Sequence, residues 1–253
     1  MSKLPVGKFV WFEHVSKHAD KAKAFYGELF NWSVQDVPLP GFTYSMIATT
    51  GGKTVGGYSP PDDDKTPPHW LSHLLVDNAE QAVARVTKAG GKALGPAIKV
   101  GDMGIMAKVA DPLGGVLCLW QPFRPDDTAD DGAAPKDGEL VWNELYTEDV
   151  DKSLAFYKAV GGYTVEPMDM GPMGTYHILK TGETSRGGVM KTPMPGVPQS
   201  WLPYVQVANA DATIERAKKL GAEIKVPPSD IPNVGRFAIF VDPQGAALGI
   251  IQQ

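Results

Sequence analysis

The chain has 253 residues, 43% hydrophobic and 21% charged, with a formal net charge of −5. This is long enough for two domains that each bury a core, and the mild acidity leaves no basic footprint for nucleic acid. The single cysteine, Cys118, excludes an intrachain disulfide; neither the opening MSKLPVGKFVWFEHV nor any later stretch has the apolar run of a signal peptide or a membrane span, so a cytoplasmic protein is expected.

Lys8 to Val15 reads as a strand, with Trp11, Glu13 and Val15 on one face and Val10, Phe12 and His14 on the other. Asp20 precedes AKAFYGELF, whose Ala22, Phe25, Tyr26 and Leu29 recur at helical spacing and predict a buried stripe. Trp32 to Val37 is a second strand, closed by Pro38 and Pro40; Phe42 to Thr49 and Thr54 to Tyr58 are two more, joined at Gly51-Gly52. The unit is strand, helix, strand, strand, strand. After PPDDDKTPP it begins again, with a strand at Trp70 to Val76, the helix AEQAVARVTKAG stopped by Gly90-Gly91, and three strands ending at VLCLW.

Residues 124–138, RPDDTADDGAAPKDG, are acidic, rich in Pro, Gly and Ala, and free of large apolar side chains, which is the composition of a linker. Beyond them the plan is repeated. Trp11 and Trp142, Tyr26 and Tyr157, Leu71 and Leu202, Asp111-Pro112 and Asp242-Pro243, and Cys118 and Gly249 are each 131 positions apart. A fixed offset over so many features marks a duplication. The expected organisation is a first module at 1–123, the linker, and a second module at 139–253, four βαβββ units in all. The individual segment EPMDMGPMGTYHI suits either a flexible apolar loop over a pocket or ordinary methionine filler.

These units, the segments HADKAKAFY and DVDKSLAFY, the helices NAEQAVARVTKAGG and NADATIERAKKLGA, and the closing DPLGGVLCLW and DPQGAALGII resemble the vicinal oxygen chelate superfamily of glyoxalases, extradiol dioxygenases and bleomycin resistance proteins. The resemblance implies an α+β fold of two tandem modules, each an open, U-shaped mixed sheet around a cleft. It also implies one divalent metal per cleft, held from the first, fourth, fifth and eighth strands. Counting from the helix-opening His18 and Asp149, however, puts Trp11 and Trp142 at the first-strand place. Counting from Asn78 and Asn209 puts Leu71 and Leu202 at the fifth, and counting from the Asp-Pro pairs puts Cys118 and Gly249 at the eighth. The fourth strands, TVGGYS and SRGGVM, offer no carboxylate or imidazole. Of the six assignable places only Cys118 has a donor atom, so neither a metal nor any other cofactor is expected.

Strand periodicity offers Glu13 and His73 to the first cleft, and Glu144 and Tyr204 to the second, as candidates for proton transfer; the Glu13-His73 pair could alternatively supply two ligands of a displaced metal site, for which no third ligand stands at a matching place. Each has an ordinary structural alternative as a hydrogen-bonded wall residue. Trp11, Trp142, Leu71, Leu202, Tyr44 and Tyr176 are candidate ligand-binding residues; aromatic walls with one or two polar anchors suit a small, partly apolar molecule, unless the indoles fill the clefts outright. His14 reads as core, Trp70 and Trp201 as facing the helix layer, and Cys118, with no basic neighbour in VLCLW, as an inert buried thiol. No phosphate loop, nucleophile elbow or zinc-protease motif occurs. Two functions remain open: a metal-independent module that binds a small molecule, and a glyoxalase-related lyase, isomerase or hydroxylase. The expected partner is a small molecule, with no membrane, and the state is a monomer or homodimer.

Overall fold

The computed structural model describes residues 4–39, 42–124, 134–171, 174–193, 197 and 199–253. Most of the expected linker (125–133), Pro172 and Met173 of the methionine-rich segment, and 194–196 with Pro198 lie outside the described residues, as does Pro40 at the close of the second strand.

The first sequence repeat forms one mixed sheet. Its elements are β1 (Phe9–Val15), α1 (Ala19–Phe30), β2 (Ser33–Leu39), β3 (Phe42–Ala48), β4 (Thr54–Ser59), β5 (His69–Leu75), α2 (Ala79–Lys88), β6 (Lys92–Ala93), β7 (Ile98–Val100), β8 (Gly104–Ala110) and β9 (Val116–Pro122). The strand order is β2-β3-β4-β1-β5-β9-β8-β6, with β7 also on β8. The second repeat continues with β10 (Leu140–Thr147), α3 (Val150–Gly161), β11 (Thr164–Asp169), β12 (Thr175–Thr181), β13 (Thr184–Lys191), β14 (Ser200–Gln206), α4 (Ala210–Lys219), β15 (Glu223–Ile231), β16 (Gly235–Val241) and β17 (Ala247–Gln252). Its order, β11-β12-β13-β10-β14-β17-β16-β15, matches the first position by position. The α+β class and the four βαβββ units are present, each sheet curling into a half-barrel.

One strand differs from expectation. The edge strand of the first sheet is broken into β6 and β7, and Gly95-Pro96 falls in the gap, where proline can give no ladder hydrogen bond. Its counterpart β15 runs through Pro227-Pro228 unbroken, at the cost of two register shifts against β16.

Helix ends follow local chemistry. Asn78 and Asn209 cap α2 and α4 by accepting from the amides of Gln81 and Ala212, and Asp149 caps α3 through Lys152. The helices α1 and α3 end on left-handed residues, Asn31 and Gly162, where glycine or asparagine costs least.

By contact the chain divides into two compact units, each taking half of each repeat. One consists of Met1–Val10, Ser72–Ala133 and Trp142–Trp201; the other of Trp11–Leu71, Ala134–Val141 and Leu202–Gln253. Inside the first, Ala82 and Val86 of α2 share a core with Leu154, Phe156, Tyr157 and Val160 of α3 and with Ala107, Val109, Leu117 and Leu119 of β8 and β9. Each fully buried Leu or Phe there contributes about 1.5–3 kcal/mol. Inside the second, the Tyr26 ring lies 4.9–6.1 Å from those of Phe25, His14, Trp70, Trp32 and Phe30.

The same relay of donors closes both cores. Trp70 Nε1 donates to Tyr26 Oη (3.0 Å), which donates to Asp242 Oδ2 (2.9 Å). In the other unit Trp201 Nε1 donates to Tyr157 Oη (2.9 Å), which donates to Asp111 Oδ2 (2.8 Å). The second oxygen of each carboxylate holds its own turn, through the amides of Leu113 and Gly115 for Asp111 and of Gln244, Gly245 and Ala246 for Asp242. Trp70 and Trp201 thus face the helices, as their strand positions predict. His14, fully buried, is core as expected and meets Asp242 Oδ2 at 2.8 Å.

Replacing Tyr26 or Tyr157 by Phe removes a hydrogen bond to a desolvated carboxylate and is expected to lower stability by about 2 kcal/mol in each case, read from urea midpoints; loss within a few tenths would show that the relay contributes nothing. For Asp242, burial raises the pKa but is outweighed by the His14 hydrogen bond and charge and by the turn amides, so the folded value lies below the ordinary carboxylate range. Its contribution is therefore complete above the unfolded value of about 3.9 and is lost as pH falls through the folded value, so Asp242→Asn should flatten the acid limb of the stability profile.

Candidate functional site

The first-strand place of each repeat carries one constellation, built within a single unit each time. Trp11 Nε1 donates to Tyr44 Oη (2.7 Å), and Tyr44 donates to Glu13 Oε1 (2.8 Å). Ser59 Oγ lies 3.3 Å from Glu13 Oε2. In the other repeat Trp142 Nε1 donates to Tyr176 Oη (2.7 Å), whose hydroxyl is bonded to Glu144. The structure therefore brings together six residues that the sequence offered separately: Trp11, Glu13 and Tyr44 in one set, Trp142, Glu144 and Tyr176 in the other.

Paired glycines on the fourth strand make room for the triad. Glu13 is in register with Gly57, and Glu144 with Gly188. A Cβ at Gly57 would run into the hydroxyl of Tyr44, and one at Gly188 into that of Tyr176. The preceding glycines serve the backbone: a Cβ on Gly56 would strike the Phe12 carbonyl, and one on Gly187 would meet the Asn143 carbonyl at 2.7 Å. Glycine inside a strand often marks such close approach. The two Gly-Gly pairs are the sequence signal that ties the tyrosines to the triads, although along the chain they show only as fourth strands without a ligand.

The two triads differ in exposure. Trp11, Glu13 and Tyr44 are all half-buried, whereas Glu144 and Tyr176 are buried and only Trp142 stays half-buried. Burial, and then the Glu144 charge, push the Tyr176 hydroxyl well above its usual range, so it acts as a neutral donor. Met190 stands at the place of Ser59 and offers no hydroxyl.

The remaining candidates lie on the fifth and eighth strands. Leu71, Leu202, His73 and Tyr204 are buried. Tyr204 is in register with Gly249, where a Cβ would collide with its ring. His73 is in register with Cys118, and Cys118 in turn with Lys108. Cys118 is buried, as expected, and its neighbours in VLCLW are apolar; the pairing of β5, β9 and β8 adds what the strand alone does not show, His73 in register on one side and Lys108 on the other. Lys108, in the segment MAKVADP, was missed because cross-strand neighbours are invisible before the register is known. Glu13 and His73 belong to different units, as do Glu144 and Tyr204, so neither pair proposed from the modules is a contact within a unit.

The donor set does not fit the metal that the resemblance implies. The indole N–H groups of Trp11 and Trp142 are donors already committed to tyrosine oxygens, and Leu71, Leu202 and Gly249 have nothing to coordinate with. Among the described residues no three His, Cys, Asp or Glu side chains are grouped to hold a metal ion. Among them, too, no helix is long and apolar enough to cross a membrane.

A family model described as the Glyoxalase/Bleomycin resistance protein/Dioxygenase superfamily matches residues 8–119 and 139–250. The "Putative glyoxylase CFP32" of Mycobacterium tuberculosis is 38% identical over 247 residues, covering 96% of this chain and 93% of the relative. The anthracycline biosynthesis protein DnrV of Streptomyces peucetius is 28% identical, covering 100% of this chain and 95% of its own length. Among solved structures, the Mn(II)-bound glyoxalase of Novosphingobium aromaticivorans superposes with a TM-score of 0.68 at 17% identity, covering 98% of this chain and 82% of that one. The 2,2',3-trihydroxybiphenyl 1,2-dioxygenase of Sphingomonas wittichii strain RW1 does so with 0.68 at 13%, covering 98% and 91%. At such identities the likeness is one of fold.

Tyr176→Phe leaves buried Glu144 short of one donor and is expected to destabilise the protein by about 1–3 kcal/mol. The raised Tyr176 pKa gives stability that is complete below the unfolded tyrosine value of about 10 and is lost as pH rises through the folded value. An ultraviolet titration of wild type against Tyr176→Phe should therefore show no difference in phenolate signal until the folded protein is well into alkali; a difference near the ordinary tyrosine value would contradict the geometry.

Proposed function

Because the chain belongs to the glyoxalase/bleomycin resistance protein/dioxygenase superfamily, and because a Trp-Tyr-Glu triad stands where that fold carries its first metal ligand in both repeats, we propose that it binds a small, partly apolar organic molecule without the family's metal. The recurrence of the triad is the observation that carries this reading. An indole face, a phenol and a carboxylate offer stacking area together with a fixed acceptor for a ligand O–H or N–H. The likeness to proteins named for anthracycline biosynthesis supports a planar ligand, since anthracyclines are flat fused-ring molecules. A single free thiol goes with a cytoplasmic site of action.

A second reading is favoured by the identity with the glyoxylase-named relatives: a lyase or isomerase in which half-exposed Glu13 accepts a proton from a small oxygenated substrate. Tyr44 and Ser59 each donate to one oxygen of the carboxylate, which fixes the orientation of the base. His73, Glu144 and Tyr204 are buried, which leaves Glu13 the proton acceptor best placed to meet a substrate.

Elemental analysis of purified protein, with a glyoxalase assay run with and without added divalent ions, separates the readings. Binding without metal predicts substoichiometric metal, no turnover under either condition, and tryptophan fluorescence quenched by planar aromatic compounds in wild type but much less in Trp11→Leu, Trp142→Leu. Stoichiometric metal that is lost on Glu13→Ala, His73→Ala would overturn it. The enzymatic reading predicts turnover that Glu13→Gln abolishes while substrate affinity is kept.

A further inference from the structure

The duplication supplies an internal control for one face of the first sheet. On β5, β9 and β8 the register sets His73, Cys118 and Lys108 in one row, and two residues further on places Trp120 opposite Met106. At the matching places in the second repeat stand Tyr204, Gly249, Ile239, Ile251 and Phe237. The face with an imidazole, a thiol and an ammonium is therefore paired with one that is aromatic and aliphatic throughout. Exposure differs at two of these places: Lys108 and Trp120 are half-buried where Ile239 and Ile251 are buried, while Met106 and Phe237 are half-buried alike.

A lysine on this row needs a reason. Lys108 lies opposite the break between β6 and β7, but Leu94 N donates to its carbonyl (2.9 Å) and β9 pairs on the other side, so its backbone is not an open edge of the kind a charge protects. Lysine is rarely taken out of water without a partner, and the second repeat shows that isoleucine satisfies the same sheet position. Lys108 and His73 each interact with other groups of the chain, but an ammonium carries three donors, so an internal partner leaves directions for a ligand oxygen. Trp120 beside the row provides an aromatic surface for the ligand's body.

We propose that this face holds the carboxylate of an aromatic acid, with the half-buried Lys108 as its charge partner and Trp120 against the ring, and that the second repeat lacks such a site. The inference rests on the reading that the chain binds a small, partly apolar molecule, and extends it to a ligand class.

Full-length wild type, Lys108→Met and Lys108→Arg are titrated by calorimetry with 2-naphthoate and with its neutral counterpart, methyl 2-naphthoate. Wild type is expected to bind the acid about tenfold more tightly, which corresponds to roughly 1.4 kcal/mol, with a preference that shrinks as salt is raised. Lys108→Met should lose that preference while still binding the ester as wild type does, which also reports that the variant is folded; Lys108→Arg should keep it. Ester and acid binding equally to wild type, or undiminished preference in Lys108→Met, overturns the carboxylate site and leaves the broader binding reading standing. Binding of neither compound counts against both.

Discussion

Each compact unit depends on one desolvated carboxylate. Asp111 closes the turn between β8 and β9 with one oxygen and receives the Tyr157 hydroxyl from α3 on the other; Asp242 does the same for β16, β17 and Tyr26 of α1. A buried carboxylate without donors would be strongly unfavourable, so the turn and the helix cannot separate without leaving it exposed in a dry interior. In both units the acid comes from one repeat and the tyrosine from the other. What the duplication copied was therefore half of an interaction, twice, and each copy completes the other.

The two relays have also diverged in a way that shows which parts are fixed. Tryptophan, tyrosine and aspartate recur at the constant offset. The fourth partner does not: His14 fills it for Asp242, whereas Gln199 donates to Asp111 and Leu145 stands at the place of His14. A neutral amide and an imidazole both donate to the oxygen that also takes the tyrosine, so the buried carboxylate needs a donor there and not a particular residue type.

The architecture was legible because it rests on periodicity. The strands, the helix stripes, the caps at Asn78, Asn209 and Asp149 and the outward or inward facing of His14, Trp70 and Trp201 all follow from patterns along the chain. Contacts set by register were not. The sequence put Tyr44 and Tyr176 among possible wall residues, but that each bridges its Trp to its Glu depends on where β3 and β12 pair, and Tyr176 falls one position off the constant offset that aligns the other residues. Cys118 shows the same limit from the other side, since no local pattern reveals that β5 and β8 bring His73 and Lys108 alongside it. The break between β6 and β7 was readable in principle from Gly95-Pro96, yet Pro227-Pro228 in the matching strand does not break β15. Proline limits the ladder; the neighbouring strand decides whether a bulge absorbs it.

The triads tie the first-strand place to the third and fourth strands. A histidine at position 11 in place of Trp11 would remove the donor to Tyr44, yet Leu71 would still offer no ligand, Glu13 would still be engaged by Tyr44 and Ser59, and Gly57 would still supply no donor atom. Conversely, tyrosine at 44 requires glycine at 57, and tyrosine at 176 requires glycine at 188, because a single methyl group at either glycine meets the phenol. Trp, Tyr, Glu and Gly thus form an interdependent set on β1, β3 and β4 and again on β10, β12 and β13. The set recurs in both copies, whereas other matched positions differ between them: His73 and Tyr204 on β5 and β14, Cys118 and Gly249 on β9 and β17, and Lys108 and Ile239 on β8 and β16.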